Sequence, residues 1–137
     1  MTIENIKEWF ERAVPEPTDK SRAVQIGCHF EEVAEMMAVV PLFMIEPQVK
    51  EAATKFKTSL LIEADSFDRK ELLDALCDQI VTAIGVGHMF GMDVLGALAE
   101  VNRSNWSKFV DGVPVFDENG KIAKPASYSK PDLTPFV

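Results

Sequence analysis

Cysteine is scarce in this 137-residue chain, which has two, Cys28 and Cys77. That excludes a disulfide-stapled scaffold, and a chain of this length buries roughly two thirds of its unfolded surface without staples. Both cysteines have apolar neighbours, so reduced core thiols in a cytoplasmic protein are expected. Basic residues are outnumbered: 14 Lys plus Arg against 22 Asp plus Glu leave a net charge of −8. This excludes duplex nucleic acid as the main partner, because no basic patch is available to neutralise its phosphates. It leaves room for a small phosphate ligand that arrives with a divalent cation. An unbroken apolar run of the roughly 18 residues needed for a membrane span is missing, and the polar start Met1-Thr-Ile-Glu-Asn is unlike a signal peptide, so no membrane partner is expected. Internal repeats, low-complexity tracts and a Gly-rich phosphate loop are lacking too. What is present is an ordinary globular composition, 47% hydrophobic and 26% charged, which excludes a disordered or collagen-like chain. One domain over residues 1–137 is expected, with a helical core at about 1–110 and an extended, irregular tail at 111–137.

Apolar residues recur at helical spacing through the core. Thr2 can cap a first helix carrying Ile3, Ile6, Trp9, Phe10 and Ala13. Pro15-Glu-Pro17 stops it, since proline pushes the preceding residue out of the α region. Thr18-Asp19 starts a second helix with Val24, Cys28, Val33, Met36, Met37 and Val40, which Pro41 ends or kinks. A third helix is expected from about Gln48 to Glu63, with Leu60 and Leu61 inward. Asp68 and Glu71 resemble a capping arrangement for a fourth helix. From Leu72 to Phe90 that helix is apolar on nearly every face, which predicts a central position packed on several sides. Gly91 is its stop, and Asp93 caps a fifth helix with Val94, Leu95, Leu98, Val101 and Trp106. Asn119-Gly120, flanked by Pro114-Val-Phe116 and Lys121-Ile-Ala123, signals a small tail hairpin. The expected fold is all-α, a bundle of four or five helices.

The informative residues are acids. Glu31, Glu32 and Glu35 fall within a sector of roughly 100° on the second helix, and Glu71, Asp74 and Asp78 fall within about 60° on the fourth. Like charges three or four residues apart cost a few tenths of a kcal/mol even when exposed. Burying an unpaired carboxylate costs several kcal/mol. The fourth helix offers no Lys or Arg after Lys70 to compensate. A divalent ion would, and carboxylate oxygens suit Mg²⁺, Mn²⁺ or Ca²⁺. A solvated acidic face and one satisfied core acid form the plainer alternative. Zinc is disfavoured, because Cys28-His29 and Cys77 with His88 lack ligand spacing. A di-iron oxidase is disfavoured because the order His29-x-x-Glu32 is reversed and Asp74 has no His three residues on. Trp9, Trp106 and Phe109 read as core or interface residues.

Glu32-x-x-Glu35 followed by an acidic helix resembles the all-α nucleoside triphosphate pyrophosphohydrolases, the superfamily of MazG and the dimeric dUTPases. Asp74-Ala-Leu-Cys-Asp78, Gly91-Met-Asp93, Glu100-Val-Asn-Arg-Ser-Asn105-Trp-Ser-Lys108 and the tail Gly120-Lys-Ile-Ala-Lys124-Pro with Tyr128 and Pro131-Asp-Leu133 resemble its MazG-like branch. The similarity spans roughly residues 25–133. Two departures stand out. The spacer between the acidic motifs is longer than usual, and the second motif admits two registers, Glu71 with Asp74 or Asp74 with Asp78. The resemblance implies hydrolysis of a nucleoside triphosphate to the monophosphate and pyrophosphate. It implies Mg²⁺ or Mn²⁺ held by Glu32, Glu35, Asp74 and Asp78, with Glu71 a further candidate. Glu31 or Glu35 would activate water, and Asn105, Lys108, Lys121 and Lys124 would bind phosphates. A homodimer or homotetramer is implied as well. The rival reading is a non-catalytic, metal-binding helical interaction or regulatory protein that retains the fold.

Overall fold

The computed structural model describes residues 2–40 and 44–137. Its fold is all-α, as the sequence predicts: α1 (Thr2–Ala13), α2 (Asp19–Val39), α3 (Glu46–Thr58), α4 (Arg69–Met89) and α5 (Val94–Trp106), with a two-stranded ribbon β1 (Phe109–Val110) and β2 (Val113–Pro114), and a 3₁₀ turn at Thr134–Phe136. Two compact units emerge. One holds residues 1–15, 67–115 and 123–137, and the other holds 16–66 and 116–122.

In the second of these, α2 begins at a reciprocal cap. Thr18 Oγ1 accepts the Ser21 amide at 3.1 Å, and Ser21 Oγ accepts the Thr18 amide at 2.7 Å. This meets two of the helix's otherwise orphaned donors. Ala23, Val24, Gly27 and Ala34 of α2 and Ala53 of α3 are buried, and Phe30 meets Phe56 edge to face. The small residues bring the two backbones close. α3 stops at Thr58, short of the expected Glu63, because the chain turns back onto the start of α2. The Ile62 amide donates to the Asp19 carbonyl at 3.0 Å, and Arg22 Nε donates to the Ile62 carbonyl at 2.7 Å. Leu60 and Leu61 are accordingly exposed rather than inward. The expected break at Pro41 lies outside the described residues. Phe116 and Ile122 pair antiparallel across the Asn119-Gly120 turn, with Gly120 at φ +78°.

In the other unit, Trp9 of α1 is buried. Its indole donates to the Asn105 carbonyl at 2.9 Å, and its ring meets Phe10 and Phe109 edge on. Trp106 lies against Phe109, so Trp9, Trp106 and Phe109 serve in packing. Asp68 caps α4 by accepting the Lys70 and Glu71 amides at 2.9 and 3.1 Å. Gly91, at φ +72°, lies just past its end. Asp93 caps α5 by accepting the Gly96 amide at 2.9 Å. The β1–β2 turn, Asp111-Gly112, has both φ values positive, at 50° and 74°. This is the hairpin turn geometry that an Asp-Gly pair favours.

One expectation is overturned. α4 is not packed on several sides: Leu72, Leu73, Leu76, Ile80, Val81 and Ile84 are all exposed, and so is Cys77. Its burial is confined to the C-terminal end, where Gly87 receives the Val94 side chain. A helix can be apolar all round without finding its cover in its own chain.

The α2–α3 contact is testable at Gly27. A Cβ there would lie 2.7 Å from the Ala53 carbonyl oxygen, a backbone atom that cannot swing aside, and 2.6 Å from Lys57 Cγ. Overpacking costs about 1–3 kcal/mol, against ~1 kcal/mol gained in helix propensity. Gly27→Ala is therefore expected to lower stability by about 1 kcal/mol, read as an earlier urea midpoint; a later midpoint would contradict the close approach.

Candidate functional site

α2 carries Glu31, Glu32 and Glu35 on one continuous helix, with Glu32 and Glu35 exposed. Glu31 is partly buried and engaged. Lys57 Nζ lies 2.9 Å from its Oε1, and Lys121 Nζ lies 2.6 Å from its Oε2. Burial alone would raise the Glu31 pKa, but the bonds from Lys121 and Lys57 outweigh it and hold the carboxyl below its ordinary range. Burial likewise works against charge on Lys121, and Glu31 reverses the balance upward. Cys28 is pushed up by burial, with Lys121 opposing. Lys57 was not among the residues that the sequence singles out. It is one of several lysines on α3, and nothing in its local pattern marks it.

α4 carries Glu71, Asp74 and Asp78, all exposed. The desolvation penalty expected for acids on an apolar helix therefore does not operate within the single chain. Glu71 and Asp74, three apart, and Asp74 and Asp78, four apart, share one helical stripe under either register. Among the described residues, no three His, Cys, Asp or Glu side chains gather as an ion would require. The chemistry of the acids on α2 and α4 is nonetheless uniform: hard carboxylate oxygens, which suit Mg²⁺ or Mn²⁺.

The tail brings a second set together. Lys108 Nζ donates to Asn105 Oδ1 at 2.7 Å. Lys108 and Lys124 lie 5.9 and 5.3 Å from the centre of the Tyr128 ring, within cation–π range. The side-chain bond with Ser104, followed by the charges of Lys124 and Lys108, holds the Tyr128 phenol below its ordinary range against slight burial. Asn105, Lys108 and Lys124 are thus neighbours in one unit, whereas Lys121 belongs to the other unit and serves Glu31.

α5 also anchors the tail. Arg103 grips Glu100 through two bonds, at 2.8 and 2.7 Å, and donates to Ser129 Oγ and the Lys130 carbonyl. Glu100 Oε1 accepts the Asp132 amide at 2.9 Å. Further along, the Phe136 carbonyl accepts the Asp93 amide at 2.9 Å.

No protein-family model matches the chain, and no curated protein or solved structure matches it either.

Glu100 makes the tail pH-sensitive. The bond from Arg103, then that from the Asp132 amide, hold its pKa down at about 2, below the ordinary value of 4.5. A carboxylate with a depressed folded pKa stabilises above its unfolded pKa and loses that contribution as pH falls toward the folded one. The Asp132 amide is therefore expected to exchange hydrogen faster as pH drops from 4.5 toward about 2, after correction for intrinsic rates. Glu100→Gln should reproduce the loosening at neutral pH. Unchanged protection in both would show that Glu100 does not hold the tail.

Proposed function

We propose that the chain is a Mg²⁺-dependent nucleoside triphosphate pyrophosphohydrolase, active also with Mn²⁺, which cleaves between the α and β phosphates to give the monophosphate and pyrophosphate. The observation that carries this reading is a pair of aspartates, Asp74 and Asp78, one turn apart in the apolar stretch of a helix that has no Lys or Arg after Lys70. The motif resemblance supports it. The carboxylates of the kind such an ion takes are Glu32 and Glu35 on α2, and Asp74, Asp78 and Glu71 on α4. Charge developing on the leaving pyrophosphate would be neutralised by the ion these carboxylates hold. Glu35 is the better water-activating base, because Glu31 already holds two lysines and has a lowered proton affinity. Asn105, Lys108 and Lys124 would bind phosphate oxygens. The uncovered apolar face of α4 supports a homo-oligomer, in which a second copy covers what one chain leaves exposed.

Pyrophosphate release from a panel of NTPs and dNTPs, with and without Mg²⁺, tests the activity. Metal-dependent turnover is expected, and Glu35→Gln or Asp78→Asn should each reduce kcat about 100-fold or more. Absence of turnover with every nucleotide would instead favour a non-catalytic, metal-binding helical protein.

Sedimentation tests the assembly. Leu73→Glu and Ile80→Glu alter side chains that are 63% and 57% exposed in the single chain. Helicity should therefore persist while association is lost. A wild-type monomer at all concentrations would remove the oligomer.

A further inference from the structure

The arrangement around Glu31 has a shape of its own. Its two carboxylate oxygens are each taken by a different lysine, and neither lysine comes from α2. Lys57 lies near the end of α3, with its side chain 17% exposed. Lys121 is set by a tight loop: Asp117 Oδ1 accepts the Asn119 and Lys121 amides at 2.9 and 3.0 Å, and the Asp117 amide donates to the Lys121 carbonyl at 2.8 Å. Two cations are thus held near each other by one intervening anion, each on its own oxygen. Glu32 also attracts Lys121. A phosphoryl group presents two anionic oxygens at nearly the spacing of a carboxylate's and carries more charge.

We propose that Lys57 and Lys121 form a seat for a phosphoryl group, and that Glu31 occupies this seat as an internal stand-in until such a ligand arrives. The choice of phosphoryl over carboxylate ligands rests on the nucleotide reading above, while the seat itself follows from the geometry. The exchange is purely ionic. The ligand takes the two ammonium groups, and Glu31 is released beside Glu32 and Glu35 on the same helix. Until then, both Glu31 oxygens are engaged by lysines and its negative charge is compensated.

The test uses the full chain, freed of metal, with inorganic pyrophosphate as the probe and malonate as the carboxylate comparison. Calorimetry reads affinity, and the lysine side-chain ammonium signals in NMR read the seat. Pyrophosphate is expected to shift the Lys57 and Lys121 signals. Glu31→Gln removes the competing charge and should bind pyrophosphate about tenfold tighter than wild type. The double variant Lys57→Met, Lys121→Met should lose binding. Equal affinity of wild type and Glu31→Gln, or undiminished binding by the double variant, overturns the proposal. Binding of malonate in preference to pyrophosphate overturns the phosphoryl assignment. Should Glu31→Gln fail to fold, the wild-type titration decides, because lysine signals that stay fixed at saturating pyrophosphate are equally fatal. No metal or turnover enters this measurement. A chain that binds pyrophosphate here but hydrolyses no nucleotide would therefore lose the enzymatic reading and keep this one.

Discussion

A single carboxylate, Glu31, joins three stretches of chain that are far apart in sequence. Lys57 reaches it from α3 and Lys121 from the loop 117–121, while Glu31 itself is fixed on α2. An exposed ion pair contributes only about 0–1 kcal/mol. This triad is less screened than such a pair, because Lys57 is largely shielded from water and each oxygen has its own partner. The arrangement is also asymmetric. Removing either lysine leaves a paired acid, whereas removing Glu31 leaves two cations close together in a half-buried setting. The position of the loop and the lowered pKa of Glu31 both follow from this geometry.

The same charge logic runs through the tail on a smaller scale. Glu100 has the Arg103 guanidinium on one side and a tail amide on the other, so an acid again draws a distant segment onto a helix. Residues 128–132 are thereby laid along α5, which brings Tyr128 between Lys108 and Lys124. Both lysines lie within cation–π range of one ring, with Asn105 accepting from the first, in a chain whose net charge is −8.

How much of this the sequence foretold depends on the range of the interaction. Caps and turns are local, and Thr18, Asp68, Gly91, Asp93 and Asn119-Gly120 all act where their residue types indicate. The Asp111-Gly112 pair carries the same turn signal as Asn119-Gly120, yet the stretch reads as irregular tail because its strands are only two residues long. The end of α3 depends on Ile62 pairing with Asp19 and Arg22, a contact that no local pattern reveals. The acids of α2 and α4 stand out in the sequence as like charges clustered on helical stripes. Their partners do not, since Lys57 resembles its neighbours Lys50 and Lys55 until the fold places it against Glu31.

α4 shows what hydropathy can and cannot decide. By length and composition alone, Arg69–Met89 is apolar enough to cross a membrane, with a mean hydropathy of 1.2, although no unbroken apolar run reaches that length. Its acids argue for a different cover. At about 100° per residue, Leu73, Ile80 and Ile84 form a stripe whose centre lies roughly 130° from that of Glu71, Asp74 and Asp78. A helix surrounded by lipid would bring that acid stripe into hydrocarbon, at about 2.5–3.5 kcal/mol for each aspartate near the centre. A helix packed against protein along the Leu73–Ile84 stripe keeps the carboxylates at the edge of the contact, hydrated and able to bind an ion. An apolar seam with acids on its flank therefore fits a protein partner and a cation together, and the two proposals made for α4 support each other.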